Sequence, residues 1–85
     1  METKIEYKGY IIEAKPDELA NNKGWTTEAY ITKKFNDIQI ITKQFSATNI
    51  FKTKEKGIKF SLLYGKQIID GQVTDLDPIE TYFNI

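Results

Sequence analysis

Thr53-Lys-Glu-Lys-Gly-Ile-Lys-Phe-Ser-Leu-Leu-Tyr-Gly-Lys-Gln-Ile-Ile-Asp-Gly71 is the stretch on which the fold turns. Thr53 is a residue type whose side-chain oxygen satisfies the free N–H groups at a helix start. Gly71 is the type that takes the left-handed conformation just past a helix end. Between them Ile58, Leu62, Gly65 and Ile69 recur at helical spacing, with Ser61 and Ile68 beside them. The pattern predicts a helix whose stripe docks on a sheet. Gly65 lies in that stripe, where a missing side chain lets helix and strand come close.

Upstream of the helix the composition is that of strands. Residues 4–14 are rich in β-branched and aromatic types. Ile5 and Tyr7 share one parity and Tyr10, Ile12 and Ala14 the other, which predicts a bulge at Gly9. Pro16 closes this strand, and 16–24 reads as a polar loop. Residues 25–35 and 38–45 read as a hairpin about a two-residue turn at Asn36-Asp37, residue types that tolerate positive φ. That turn sets Phe35 opposite Ile38, Thr32 opposite Ile41, Tyr30 opposite Lys43 and Glu28 opposite Phe45.

Downstream, residues 72–85 alternate acid with apolar: Val73, Leu76, Ile79, Tyr82, Phe83 and Ile85 stand among Asp75, Asp77 and Glu80. This tail is too apolar for a solvated linker and either folds back as a strand or cover, or docks on a partner. The expected architecture is α+β: a three-stranded antiparallel meander, four-stranded if the tail joins, with one C-terminal helix on one face. Residues 1–71 form a single β-β-β-α domain and 72–85 its tail.

Eighty-five residues are one domain with a narrow stability margin. Cys and His are absent, which excludes disulfides, ordinary zinc or copper sites, a thiol nucleophile and an imidazole base. All twelve basic residues are Lys, balanced by twelve acids, so the chain is neutral and lacks the Arg fork that reads phosphates and guanine. No apolar run approaches the ~20 residues that span a bilayer, and Met1-Glu2-Thr3-Lys4 is not a signal peptide. The expectation is a cytoplasmic protein without membrane, metal or cofactor.

Three surfaces are candidates for binding. Lys43, Lys52, Lys54, Lys56, Lys59 and Lys66 against Glu55 alone give residues 43–66 a charge of +5. Exposed lysines in a first helical turn oppose the helix dipole, so they are either a solvated face or a site for phosphates or another anion. The sheet face away from the helix is expected to carry Tyr30, Ile41 and Phe45 with Lys34 and Lys43. Aromatics between lysines form stacking platforms for single-stranded nucleic acid, whereas a plain apolar patch is normally covered by a tail or second subunit. The outer side of the helix shows Phe60, Leu63, Tyr64 and Gln67 at the spacing of anchors that enter a partner's groove, unless the tail returns over them. Asp70, Asp75 and Asp77 match no calcium loop, and Gly57 with Gly65-Lys66 matches no phosphate loop.

Tyr7-Lys8-Gly9-Tyr10-Ile11-Ile12, Trp25 opening a strand, and Gly65-Lys66-Gln67-Ile68-Ile69-Asp70-Gly71 together resemble small bacterial proteins of unknown function with a β-β-β-α order, and more distantly the short HlyU-like proteins. The resemblance covers residues 5–71 and implies an intracellular regulatory or accessory role, with no site residue to carry over. Gly57, where a helix former such as Ala is expected, departs from the pattern. The leading expectation is a non-enzymatic protein-interaction module, regulatory or inhibitory, with a protein partner or a homodimer, acting through Tyr30, Ile41, Phe45, Phe60, Leu63 and Tyr64. The second is a nucleic-acid-binding accessory protein that uses the lysines with Tyr30 and Phe45.

Overall fold

The computed structural model describes residues 1–84. It is an α+β fold: β1 (Lys4–Tyr7), β2 (Tyr10–Ala14), β3 (Glu18–Leu19), a 3₁₀ turn (Ala20–Asn22), β4 (Gly24–Lys34), β5 (Ile40–Phe51), the main helix α1 (Lys54–Ile69) and a short α2 (Ile79–Tyr82). All strand pairings are antiparallel. β5 accompanies β4 along nearly its whole length, so β2 and β3 share the other edge of β4, one after the other.

Among the described residues the sheet has five strands where three or four were expected, partly because 16–24, read as a polar loop, contributes β3. Two further differences from the sequence reading arise at turns. Residues 4–14 are not one bulged strand. Lys8 and Gly9 take φ of 49° and 87°, the primed two-residue turn that closes a tight hairpin, and set Tyr7 against Tyr10. The change of parity at Gly9 therefore marks a reversal of the chain. Asn36 and Asp37, in contrast, do not take positive φ. Asn36 Oδ1 instead accepts from the N–H groups of Ile38 (3.0 Å) and Gln39 (2.8 Å), while the Phe35 N–H donates to the Gln39 carbonyl (2.9 Å). The loop is one residue longer than expected, and every cross-strand pair slips by one: Thr32 faces Thr42, Ile31 faces Lys43 and Ala29 faces Phe45.

A one-residue slip moves side chains to the other side of a sheet. Ile41, Lys43 and Phe45 therefore lie with Ala29 and Ile31 on the face that carries α1, and Tyr30 with Lys34 lies on the opposite one. The expected grouping of Tyr30, Ile41 and Phe45 on one bare face is thus corrected. The bare face is mostly polar, with rows such as Lys4–Glu13–Tyr30–Gln44 and Glu6–Ile11–Thr32–Thr42. A face of that kind can stay in water without a cover.

The covered face holds Tyr10, Ile12, Ala29, Ile31 and Phe45, all buried beneath α1 and the tail. Thr53 Oγ1 caps α1 by accepting from the Lys56 N–H. At the other end the Gly71 N–H bonds the Ile68 carbonyl and the Gln72 N–H the Gln67 carbonyl, with Gly71 at φ 73°. Gly57 and Gly65 both face the sheet. A Cβ at Gly57 would stand 3.1 Å from Pro16 Cβ and 3.2 Å from Trp25 Cβ, so close approach explains a glycine where a helix former was expected. Ser61, fully buried between them, has its hydroxyl where β2 has left β4, and there it accepts the Glu28 N–H at 3.0 Å.

Residues 72–84 form no strand. They lie back over the sheet end that α1 leaves open, burying Ile79 and Phe83. Phe83 packs on Tyr10 (5.5 Å between ring centroids), and Tyr82 stands edge-on to Phe45 (5.1 Å).

Candidate interaction surface

β5 is the longest strand and an edge of the sheet. Among the described residues no strand pairs with its outer side. Phe35 and Gln39 form a hydrogen-bonded pair, so by alternation Ile41, Lys43, Phe45 and Ala47 bond to β4, while Ile40, Thr42, Gln44 and Ser46 aim their N–H and carbonyl groups outward. The 2.7 Å bond between the hydroxyls of Thr32 and Thr42 fits this, because side chains approach most closely at pairs without backbone bonds. All four outward residues are exposed. Gln44 Nε2 (3.1 Å) and the Ser46 hydroxyl donate to the carboxylate of Glu28, which steadies this stretch from the bare face.

α1 flanks the second half of β5. Phe60 stacks flat on Phe51, with centroids 4.5 Å apart and planes 6° from parallel, yet remains 37% exposed; Leu63 is 43% exposed. Tyr64, half-buried, reaches the strand edge, and its hydroxyl donates to the Ser46 carbonyl at 3.3 Å. Burial, followed by the charges of Asp75, Tyr82 and Glu28, raises the pKa of this phenol above 10.0, so it remains a donor at neutral pH. Phe60, Leu63 and Tyr64 thus occupy one side of the helix, as their i, i+3, i+4 spacing predicts. Ile40 (53% exposed) and Ile50 (48%) add apolar surface along β5, and Ile38 (94%) stands at the hairpin tip.

Other expected site residues are dispersed. Phe45 is buried beneath Tyr82, Ile41 is half-buried against the core, and Tyr30 lies on the far face with Lys15 Nζ 5.1 Å from its ring centre. Lys52, Lys54, Lys56 and Lys59 are exposed around the start of α1, where Lys54 Nζ stands 5.6 Å from the Trp25 ring. Lys43 is nine strand residues from Lys52, ~30 Å at 3.3 Å per residue, and does not join that group.

A cluster that the sequence reading missed binds the first hairpin to the end of α1. The Tyr7 hydroxyl and Lys8 Nζ each donate to the Asp70 carboxylate at 2.6 Å. The bonds from Lys8 and then Tyr7 lower the pKa of Asp70, and the bond to Asp70 raises those of Tyr7 and Lys8. No short motif joins residues so distant in sequence.

Elsewhere, a depression of about 200 Å³ is lined by Glu6, Tyr10, Ile11, Thr32 and Lys34, smaller than the ~300–1,000 Å³ of small-molecule sites. Among the described residues no three His, Cys, Asp or Glu side chains converge on a possible metal position, and no helix is long and apolar enough to cross a membrane. No protein-family model matches the chain, and neither does any curated protein or solved structure.

Proposed function

We propose that the protein is a cytoplasmic, non-enzymatic interaction module, regulatory or inhibitory, which binds a protein partner along the open edge of β5 and the adjoining side of α1. One observation carries the reading: among the described residues no strand pairs with the outer side of the twelve-residue β5, beside the exposed Phe60 and Leu63. An open edge offers a row of backbone donors and acceptors that a partner's strand completes, and exposed apolar side chains beside it supply selectivity. Tyr64 belongs to this surface, and so do the outward groups of Thr42, Gln44 and Ser46. Phe45, Ile41 and Tyr30 do not.

Capture from the native cell tests this with matched baits. Thr42→Lys places a charge on the edge, and Phe60→Asp with Leu63→Asp puts charge on the helix side. Proteins retained by the wild type should be lost from both variants while circular dichroism stays native. Identical sets on all three baits would reject this surface.

The second reading, a nucleic-acid-binding accessory protein, keeps one supporting observation: Lys52, Lys54, Lys56 and Lys59 are all exposed at one end of the molecule. Its aromatic platform is divided between two faces. Retention on immobilised nucleic acid that falls steeply with salt and is lost when Lys54, Lys56 and Lys59 become Gln would favour it.

A further inference from the structure

We infer that the β5 edge pairs with the β5 edge of a second copy of this chain, in an antiparallel register that sets Gln44 against the partner's Gln44. The inference rests on the interaction reading above and names the partner. Proteins blunt their edge strands with lysines, prolines, short length or a cover. β1, the opposite edge, is four residues long and alternates Lys4 and Glu6 with its apolar residues. β5 is three times that length, has no proline, and carries one charge, Lys43, which lies on the helix side of the sheet. Its outward backbone groups in the regular stretch belong to Ile40, Thr42, Gln44 and Ser46, none charged, and among the described residues only the Ser46 carbonyl has a bond, from Tyr64.

The register follows from this pattern. Outward groups must meet outward groups, so the two strands can slip only in steps that preserve parity. With Gln44 on the two-fold axis, Thr42 meets the partner's Ser46, Ile40 meets the partner's Thr48, and Lys43 meets the partner's Phe45. A slip one way confronts Lys43 with the partner's Lys43. A slip the other way sets buried Phe45 on the axis and pairs Ile40 with the partner's Ile50, two residues deeper than Thr48 into the stretch where the β4–β5 register shifts. Of these three registers, the central one opposes no like charges and keeps the buried Phe45 off the axis. A net charge of zero adds no long-range repulsion between copies. Pairing would displace the Tyr64 hydroxyl from Ser46, so Tyr64 occupies the edge in the monomer.

A strand pair of this length covers less than the ~1,200 Å² of a standard interface, so a weak, reversible dimer is expected. Sedimentation across a concentration series should show monomer and dimer in exchange, and Thr42→Lys should leave monomer alone with native circular dichroism. Because the chain has no cysteine, disulfide capture reads the register. Gln44→Cys brings its Cα to ~5.5 Å from the partner's, within disulfide reach, and should give a covalent dimer on mild oxidation. Thr42→Cys lies four residues from the partner's Thr42, ~13 Å, and should not crosslink, whereas Thr42→Cys with Ser46→Cys should. A wild type that is monomeric at millimolar concentration overturns the inference, as does a Thr42→Cys chain that crosslinks as readily as Gln44→Cys. If that monomer still captures proteins through β5, the pairing with a second copy fails and the interaction reading survives. If β5 substitutions change neither mass nor capture, both fail.

Discussion

Gly65 rests on Ile12 so closely that a Cβ added to the helix would stand 2.5 Å from Ile12 Cγ2. Ile12 is wholly buried and has no space to retreat into. Alanine would raise helix propensity by ~1 kcal/mol, whereas overpacking a filled core costs ~1–3 kcal/mol. Gly65→Ala is therefore expected to lose up to ~2 kcal/mol, with a Tm lower by ~4–8 °C per kcal/mol. Gly57→Ala meets Pro16 and Trp25 at 3.1–3.2 Å, and Pro16 sits in a loop that can yield, so it should be near neutral. Thermal melts of the two variants decide it: an equal change in both would remove the close-approach explanation.

Ser61 gives a second measurement. It is a polar residue in the middle of an apolar stripe, and its hydroxyl is the acceptor for a buried Glu28 N–H. Removing one partner of a buried hydrogen bond leaves the other desolvated and unpaired, at ~1–3 kcal/mol. Ser61→Ala should cost that much in urea unfolding, with an unchanged m-value, even though alanine is the better helix former. A neutral or stabilising outcome would mean that the Glu28 N–H finds water or another acceptor.

How legible the fold was depended on whether its signals were local. α1 announced itself through Thr53, Gly71 and a stripe that includes Gly65, because caps and periodicity act within a few residues. The two misread turns depended on a choice between near-equivalent local conformations. A lysine at positive φ is uncommon, so Lys8-Gly9 looked like a bulge. Asn36-Asp37 suits a primed turn by residue type, but the Asn36 side chain bonds forward to Ile38 and Gln39 and lengthens the loop. That one residue decided whether Phe45 was surface or core. Of the site, Phe60, Leu63 and Tyr64 could be found from helical spacing. The open edge of β5 could not, since being an edge is a property of which strands pair. The Tyr7–Lys8–Asp70 cluster was hidden for the same reason, being joined across 62 to 63 positions of sequence.

That cluster makes stability depend on pH with a definite sign. Asp70 is ionised more readily in the folded chain than its ordinary 3.8, so its contribution is present above that value and disappears as pH falls through the lowered one. Tyr7 and Lys8, with pKa values raised above 10.0 and 10.5, contribute below those values and lose the contribution as pH climbs through the raised ones. Asp70→Asn should melt below the wild type at neutral pH. The gap should close as acidification carries the pH well below 3.8 and through the lowered value, where the folded wild-type carboxylate is protonated too. A gap that persists unchanged in acid would assign the loss to helix capping and away from the charge.

The tail supplies the last comparison, between three phenylalanines. Phe83 and Phe45 are 3% and 7% exposed, and their rings pack on Tyr10 and Tyr82; Phe60 is 37% exposed and stacked on Phe51. Truncating a buried Phe to Ala costs ~3–5 kcal/mol, a large part of the ~5–15 kcal/mol that holds a small domain together. Phe83→Ala and Phe45→Ala should both bring the protein close to unfolding at 37 °C. Phe45→Asp should unfold it outright, because a carboxylate beneath Tyr82 would be buried without a partner. Phe60→Asp should keep the native circular dichroism and a Tm within a few degrees of wild type. If Phe83→Ala proved no more costly than Phe60→Ala, residues 72–84 would be an accessory to the core, and the aromatic contacts of Tyr10 and Phe45 would have to be satisfied without them.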